Sequence, residues 1–536
     1  MLSGLMQAEA LTVDRFAEHA ARWHGGVAVI ERDAAGAIHR STYAAIVQRA
    51  KGLSAALLDL GIEPGDRVAT LAMNNFRHLE CWYGIMGIGA VCHTLNPRLT
   101  EEQLAWIVDH AGDRVIIADA SFASLATTLA RACPSVERVI LMPDGSAGPQ
   151  AAEAVDYEAF LAGASVEAQW GGFGEERACG LCYTSGTTGN PKGVLYSHRS
   201  NYLHALGALQ RDVTGLSAND VVLPIVPMFH ANAWGLAFSA LAAGAGLVLP
   251  GPRLDGASIH NLIESEGVTF AAAVPTVWQG LLQYLRESGG RLDSLRRVLI
   301  GGSACPEAIL RSLEEDYGVE VLHAWGMTET SPIGTTAAPV AGCAAMDPAM
   351  RREQALKQGR PPFGVDLAIE DDTGRRLPHD GTSPGRLLVR GATVARAYYR
   401  AEEEAVDAAG WFDTGDIATI DEHGFMKITD RAKDVIKSGG EWISSIEIEN
   451  IVHGYHKTAC AAVIGVRHEK WGERPLLLVQ LHPGESATGD EYRDYLRGRI
   501  ASWWMPDDIR FIDDMPLGAT GKIDKKRIRA LVMDAA

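Results

Sequence analysis

Short β-branched apolar runs alternate with longer helical stretches through the first 340 residues. The segments from Asp66 to Met73 (DRVATLAM), Asp113 to Asp119 (DRVIIAD) and Asp220 to Pro227 (DVVLPIVP) each predict a strand. So do RVILM from Arg138, VTFAAAVP from Val268 and RRVLIGG from Arg296 to Gly302. A stretch through Trp82 and Ile85, EEQLAWIVDHA from Glu101 and PEAILRSLEEDYG from Pro306 predict helices between them. Strand–helix alternation implies parallel sheets covered on both faces. The longest apolar stretch, Ala233 to Pro250, is broken by Gly235, Gly244 and Gly246 and follows a polar HAN. It predicts a buried helix followed by a strand, not a membrane span. From Ala341 to Pro362 the pattern dissolves into a loop ending in GRPPFG. LAIEDD, GRLLVRG and FMKITD then return as strands without intervening helices, which predicts a β-rich subdomain. After the charged, Gly-containing segment Asp430 to Trp442, a helical IEIENIVHGY and the strands ACAAVIGV and PLLLVQLH predict a small α+β unit. The expected fold class is α/β, with a large N-terminal domain, residues 1–430, and a small C-terminal domain, residues 431–536.

Composition narrows the function. With 47% hydrophobic residues the chain of 536 residues can bury more than one core. Its 49 Lys+Arg against 67 Asp+Glu give a net charge of -18, which disfavours nucleic-acid or anionic-membrane partners because both would repel it. A polyanionic ligand must then be met by a local cluster of cations and backbone N–H groups. Eight Cys without regular spacing do not form a disulfide framework, and Cys179 and Cys182 are a lone CxxC with no second pair to complete a metal site. MLSGLMQAEALTVDRF has neither the basic nor the apolar region of a signal peptide, so a cytoplasmic protein is expected.

The segment from Leu181 to His198, LCYTSGTTGNPKGVLYSH, carries the strongest chemical signal. A strand runs into Thr184, Ser185, Gly186, Thr187, Thr188 and Gly189, and then into Pro191, Lys192 and Gly193. Such a loop offers backbone N–H groups, hydroxyls and one ammonium to a phosphate chain. It is not a Walker A loop, which needs Gly before the Lys and Ser or Thr after it. The plainer alternative is a flexible polar hairpin.

TSGTTGNPKGV resembles the phosphate loop of AMP-forming acyl-CoA synthetases, in the superfamily that also holds firefly luciferases and peptide-synthetase adenylation domains. The resemblance covers nearly the whole chain, because further family motifs follow in order: PMFHANAWG (Pro227 to Gly235), AWGMTETSP (Ala324 to Pro332), GWFDTGD (Gly410 to Asp416), DRAKDVIKSGGEWIS (Asp430 to Ser444) and PLGATGK (Pro516 to Lys522). Within the superfamily the chain resembles bacterial medium-chain acyl-CoA ligases, among them 3-methylmercaptopropionyl-CoA ligases. The implied chemistry joins a carboxylate to the α-phosphate of ATP and then passes the acyl group to the thiol of CoA. A carboxylate is already ionised near neutral pH, so the first step needs charge neutralisation and no general base.

The resemblance assigns roles residue by residue. Glu329, between Thr328 and Thr330, is implied as the Mg²⁺ ligand, with Thr184 a second contact to metal or phosphate; hard oxygen donors suit that ion. Thr328 would donate its hydroxyl to the α-phosphate, and residues 185–189 with Lys192 would cradle the phosphates. Gly301, Gly302 and Ser303, with His323, Ala324, Trp325 and Gly326, resemble the adenine pocket. Asp416 would accept the ribose hydroxyls, with Arg431 the matching donor. Lys522 resembles the adenylation lysine on a mobile C-terminal domain, although Lys525, Lys526, Arg527 and Arg529 nearby also suit a solvated basic helix. Lys433 falls on the family's hinge position, where Asp is frequent. Lys437, Glu441 and Trp442 match positions that contact the adenylate or shape the CoA tunnel, with Gly439 and Gly440 leaving room for the pantetheine arm; an ordinary linker turn is the competing reading. His230, Asn232, Ala233 and Trp234 lie where the family builds its acyl pocket and gate, and Ala324 and Pro332 would line the same pocket. His230 suits a satisfied core residue equally well. The bulk of Trp234 favours a short or medium acid, and a thioether acid of that size would pack its sulfur against aromatic rings.

The expectation is therefore an ATP-dependent, Mg²⁺-requiring ligase that makes acyl-CoA from a small carboxylic acid, acting as a homodimer without nucleic-acid or membrane partners. A ligase that loads a carrier protein, or a non-catalytic adenylate-binding protein, is the alternative.

Overall fold

A computed structural model describes residues 4–146, 153–165, 167–184, 190–438, 441–518 and 522–534. The chain packs as two compact units. One takes Met1–Ala272, Met327–Ile333 and Ala392–Glu404; the other takes Ala273–Gly326, Gly334–Gly391 and Ala405–Ala536.

The first unit is built on strands that read as continuous apolar runs because helices cover both of their faces. A seven-stranded sheet runs in the order Val155–Asp156, Arg138–Met142, Val115–Asp119, Arg67–Leu71, Val91–Thr94, Ala178–Thr184 and Lys192–Ser197. All neighbours are parallel except the last two, which form an antiparallel hairpin with Thr184 opposite Lys192. A second set of neighbours, Phe270–Ala273, Val221–Pro224, Gly246–Leu249 and Ala28–Arg32, is parallel and ends in the antiparallel strand Ile38–Thr42. The helix Phe76–Gly87 is buried along its whole length, and its Trp82 and Tyr83 meet Phe238 of the helix Leu236–Ala243 at ring distances of 5.2 and 6.1 Å. The apolar stretch from Ala233 to Pro250 is thus a buried helix and strand, and no described helix is long and apolar enough to cross a membrane.

In the second unit the strands Arg297–Ile300 and Glu320–Gly326 pair in parallel, and four antiparallel strands follow: Val365–Glu370, Gly385–Gly391, Phe412–Ile420 and Met426–Arg431. The β-rich expectation therefore holds, with the strand Phe412–Ile420 added to it. The stretch expected to be a loop from Ala341 to Pro362 contains the helix Pro348–Leu356. Asp347 caps it by accepting the Ala349 N–H at 2.8 Å, and Pro348 occupies the first turn, where its missing N–H costs nothing.

Residues 436–534 form a five-stranded sheet with helices on both faces. The segment Asp430 to Trp442 is not merely a linker: Ile436–Ser438 and Glu441–Ile443 pair as a short hairpin whose Ile436 and Ile443 are buried. Along Thr458–His468 and Gly472–Leu481 the side chains alternate between two cores. Ala461, Val463, Leu477 and Val479 pack with Ile448 and Val452 of the helix Ser445–His453 and with Tyr492 of the helix Gly489–Leu496. Ala462, Ile464, Leu476 and Leu478 pack with Met515 and Ile528, the latter on the helix Lys525–Asp534.

Two predictions follow from this packing. Gly359 has φ +88°, and an added Cβ would lie 1.9 Å from the Thr336 carbonyl carbon, at the point where Arg360 pairs with Thr336. Gly359→Ala should lower stability by about 2–4 kcal/mol, read from urea unfolding. The imidazoles of His78, His198, His204 and His323 are buried, and burial pushes each down to about 4 from the ordinary 6.5. The unfolded chain then binds more protons than the fold between those two values. Stability should be constant above pH 6.5 with respect to these rings and should fall as the pH drops toward 4, seen as a declining urea midpoint between pH 7 and 5.

Candidate active site

The phosphate-loop motif starts where the strand Ala178–Thr184 ends. Thr184 donates its hydroxyl to the Lys192 carbonyl across the hairpin at 3.4 Å, so the base of the loop is closed. Ser185, Gly186, Thr187, Thr188 and Gly189 lie outside the described residues. Cys179 and Cys182, three residues apart on that strand, are buried; Cys182 accepts the Ala231 N–H, and burial pushes its thiol up to about 11. Among the described residues no group of three or more His, Cys, Asp and Glu is placed to hold a metal.

The TET motif forms a single tight turn, Thr328–Thr330, that is fastened from several sides within the first unit. The Met327 N–H donates to Thr330 Oγ1 at 3.0 Å and to the Pro332 carbonyl at 3.1 Å, while Thr330 Oγ1 also donates to that carbonyl. Tyr196 donates its phenol to the Thr328 carbonyl at 2.8 Å. The Ile333 N–H donates to Nε2 of His204 at 3.0 Å, which the low pKa of that ring keeps neutral and able to accept. Ala395 N–H donates to the Glu329 carbonyl at 2.7 Å, and Ser331 Oγ to the Thr393 carbonyl at 2.7 Å. The Glu329 side chain is buried, and one oxygen, Oε1, accepts the Tyr398 phenol at 2.7 Å. Burial first, and then the charge of Glu329, push that phenol well above its ordinary pKa. The Lys192 ammonium lies 4.7 Å from the centre of the Tyr398 ring, and the Tyr399 N–H donates to the Gly193 carbonyl at 2.7 Å. The turn, the loop base and the 392–404 segment are therefore stapled into one constellation that collects Thr184, Lys192, Thr328 and Glu329.

Nearby in the chain, Ala231, Asn232, Ala233 and Trp234 all have positive φ, between 44° and 55°. A left-handed run of non-glycine residues stores roughly 1–2 kcal/mol per residue. Packing holds it in place: Ala233 is fully buried, Asn232 donates to Asn201 Oδ1 at 3.2 Å, and Gly235 sits so close to His204 that a Cβ would meet the ring at 2.7 Å. His230 is half-buried at the start of the run and its carbonyl accepts the Ala233 N–H.

The second unit assembles the other candidates. Gly301–Ser303 and Ala324–Gly326 emerge at the carboxyl ends of two adjacent parallel strands, in register at Ile300 and His323; such ends are where open parallel sheets bind ligands. His323 has both ring nitrogens engaged, Nε2 accepting the Cys305 N–H at 3.2 Å and Nδ1 facing the Leu356 carbonyl at 2.9 Å. It shapes this region through the backbone. Trp325 is buried, and its ring lies where a Cβ on Gly334 would fall 2.5 Å away. Its Nε1–H donates to Asp416 Oδ2 at 2.9 Å, and Arg431, opposite Asp416 in the sheet register, approaches Oδ1 at 3.6 Å. Burial drives the Asp416 carboxyl up, and Arg431, the indole N–H and the Lys522 ammonium pull it back toward ionisation. Residues of three other motifs thus act on one carboxylate.

Lys433 follows Arg431 in a turn whose flanks are anchored. Asp430 accepts the Ser445 N–H at 2.7 Å, and Asp434 pairs with Arg529 at 2.8 Å. The basic helix Lys525–Asp534 exists beside Lys522, but Lys525 is tied to Glu449 at 2.8 Å and Arg529 to Asp434. Lys437 lies exposed on the strand Ile436–Ser438 opposite Trp442. Gly439 and Gly440 lie outside the described residues, as do the side chains of Glu441 and Trp442. Ala324 and Pro332 are both buried, in different units. Sequence reasoning missed Tyr398, Tyr196 and His204. Tyr398 and Tyr399 are adjacent aromatics in a connecting segment, and no sequence motif marks them.

The chain resembles known proteins along nearly its whole length. The model of the AMP-binding enzymes matches residues 16–399, and that of their C-terminal domain matches residues 447–522. The chain is 46% identical to a 3-methylmercaptopropionyl-CoA ligase of Ruegeria lacuscaerulensis over 99% of both chains. It is 47% identical to a medium-chain-fatty-acid–CoA ligase of Ectopseudomonas oleovorans over 98% of this chain and 97% of the relative. Among solved structures, an anthranilate CoA ligase in complex with anthranoyl-AMP superposes with a TM-score of 0.87 at 25% identity, covering 98% of each chain.

Tyr196→Phe, which leaves the buried Thr328 carbonyl without its donor, should lower stability by about 1–3 kcal/mol in urea unfolding.

Proposed function

Because the chain belongs to the AMP-binding enzyme family, we propose that it is an ATP-dependent acid–CoA ligase that forms an acyl-AMP and then an acyl-CoA. The observation that carries this reading is the convergence of Trp325, Arg431 and Lys522 on Asp416. A buried carboxylate with an indole and a guanidinium on it suits a pair of ribose hydroxyls, and a lysine within its field suits a nearby phosphate.

In the first step a carboxylate oxygen of the acid attacks the α-phosphorus of ATP, the bond to the β-phosphate oxygen breaks, and pyrophosphate leaves. Asp416 accepts the ribose hydroxyls, oriented by the Trp325 N–H. Thr328 donates its hydroxyl to the α-phosphate, and Lys522 neutralises the charge that gathers there. The loop from Thr184 to Lys192 holds the departing phosphates with backbone N–H groups and one ammonium. In the second step the CoA sulfur attacks the acyl carbonyl and AMP leaves; Lys437 and the 439–442 segment shape the approach of the thiol. We assign the division at residues 430 and 431 to this change of step, with Lys433 as the hinge.

Glu329 and Thr184 fit Mg²⁺: they are hard oxygen donors, one a single carboxylate held in place by Tyr398, and Mg²⁺ takes one or two carboxylates with substrate phosphates. When bound it supplies charge neutralisation at the phosphates. The acid is short to medium and aliphatic, or its methylthio analogue. Two relatives' names and the bulk of Trp234 in the HANAW run support that. A cytoplasmic homodimer completes the proposal; light scattering reads the oligomer directly.

The test is release of AMP and pyrophosphate dependent on added acid, across two to sixteen carbons plus methylthiopropionate, with CoA and a carrier protein compared as acceptors. No AMP with any acid would overturn the reading. Lys522→Ala should slow adenylate formation by about 10²–10³-fold while thioesterification of supplied acyl-AMP stays within a few-fold. Lys433→Pro should leave acid-dependent pyrophosphate release intact and stop acyl-CoA formation; normal overall turnover would remove the hinge role.

A further inference from the structure

Tyr398 belongs to none of the sequence motifs, yet its side chain touches the proposed metal ligand Glu329 and the proposed phosphate-loop cation Lys192. Its O–H donates to Glu329 Oε1 at 2.7 Å, and its ring faces the Lys192 ammonium at 4.7 Å. The backbone around it is fixed on both sides. Thr393 and Ala395 are bonded to Ser331 and Glu329 of the TET turn, and Tyr399 is bonded to Gly193 at the base of the phosphate loop. The phenol is thus held between a carboxylate and an ammonium that lie far apart in sequence.

The terminal torsion of a glutamate is broad, so a lone carboxylate samples many orientations. A donor on one oxygen selects among them and commits that oxygen, and partners behind a metal ligand typically change metal affinity by about 10–100-fold. The face of an aromatic ring attracts an ammonium with about 0.5–1 kcal/mol at a partly exposed site. We propose that Tyr398 is a positioning residue that sets the Glu329 carboxylate for the divalent ion through its hydroxyl and holds Lys192 at the loop base through its ring. This rests on the reading of Glu329 as the Mg²⁺ ligand. The bland alternative is a phenol that only satisfies a buried carboxylate, in which case its loss lowers stability without selective loss of metal.

Mn²⁺ is titrated into the full-length protein with a non-hydrolysable ATP analogue, and bound ion is read by electron paramagnetic resonance. Tyr398→Phe should weaken Mn²⁺ binding by about 10-fold. Its affinity for the analogue without metal should change less than about twofold, since the ring remains over Lys192. Tyr398→Leu, which also removes the ring, should weaken metal-free analogue binding by about a further two- to fivefold. Tyr398→Leu also lacks the hydroxyl, should weaken Mn²⁺ binding by at least the same factor as Tyr398→Phe, and supplies the measurement if Tyr398→Phe does not fold. In a Glu329→Gln background the Tyr398→Phe penalty should nearly vanish.

Unchanged Mn²⁺ affinity in Tyr398→Phe, with a clear loss in Glu329→Gln, overturns this inference alone. Equal Mn²⁺ affinity in wild type and Glu329→Gln overturns the ligand role of Glu329 itself. Equal metal-free analogue affinity in the Leu and Phe variants overturns the part given to the ring. An undiminished penalty in the Glu329→Gln background also overturns the proposal, because the tyrosine would then act through something else.

Discussion

A carboxylate taken out of water must be compensated where it lies, and Asp416 is the case around which the second unit organises. An unpaired buried charge destabilises a fold by several kcal/mol. The compensation comes from an indole at the end of one strand, a guanidinium across an antiparallel pair, and an ammonium from near the end of the chain. The indole and the guanidinium reach it from separate strands, so the packing that delivers them answers to that electrostatic demand. Asp416 accepts one hydrogen bond, from the indole, and faces a guanidinium at ion-pair distance.

The first unit solves the opposite problem. The proposed site has to receive anions in a chain of net charge -18, and it contains a glutamate. Glu329 is tolerable there because its turn is tied by backbone bonds from separate segments, and because one of its oxygens is committed to a phenol. Rigid backbone replaces the solvent that would otherwise screen the carboxylate. The local cation, Lys192, is exposed and has the face of the Tyr398 ring beside it at 4.7 Å.

The sequence was most informative where function needs an uninterrupted local run of residues. The TSGTTGNPKGV loop, the TET turn and the TGD strand are of this kind, and the parallel strands were readable because burial on both faces makes them continuously apolar. Less was legible where a residue acts through a distant partner. Tyr398 looks like any aromatic in a connecting segment until Glu329 is placed beside it. His323 resembles a residue of the adenine pocket until a backbone N–H is found on its ring, and His204, which the sequence does not single out, accepts one too. The left-handed run at Ala231–Trp234 contradicts local preference, and only its packing against Asn201 and His204 explains it. The helix Pro348–Leu356 was signalled by Asp347 and Pro348, but its polar composition masked the cue.

The sheet formed by residues 436–534 closes both of its apolar faces with helices and loop residues from its own stretch of chain. Such a module owes little of its cohesion to its neighbours. Its fold is then set by residues within that stretch, and substitutions elsewhere in the chain leave its two cores intact.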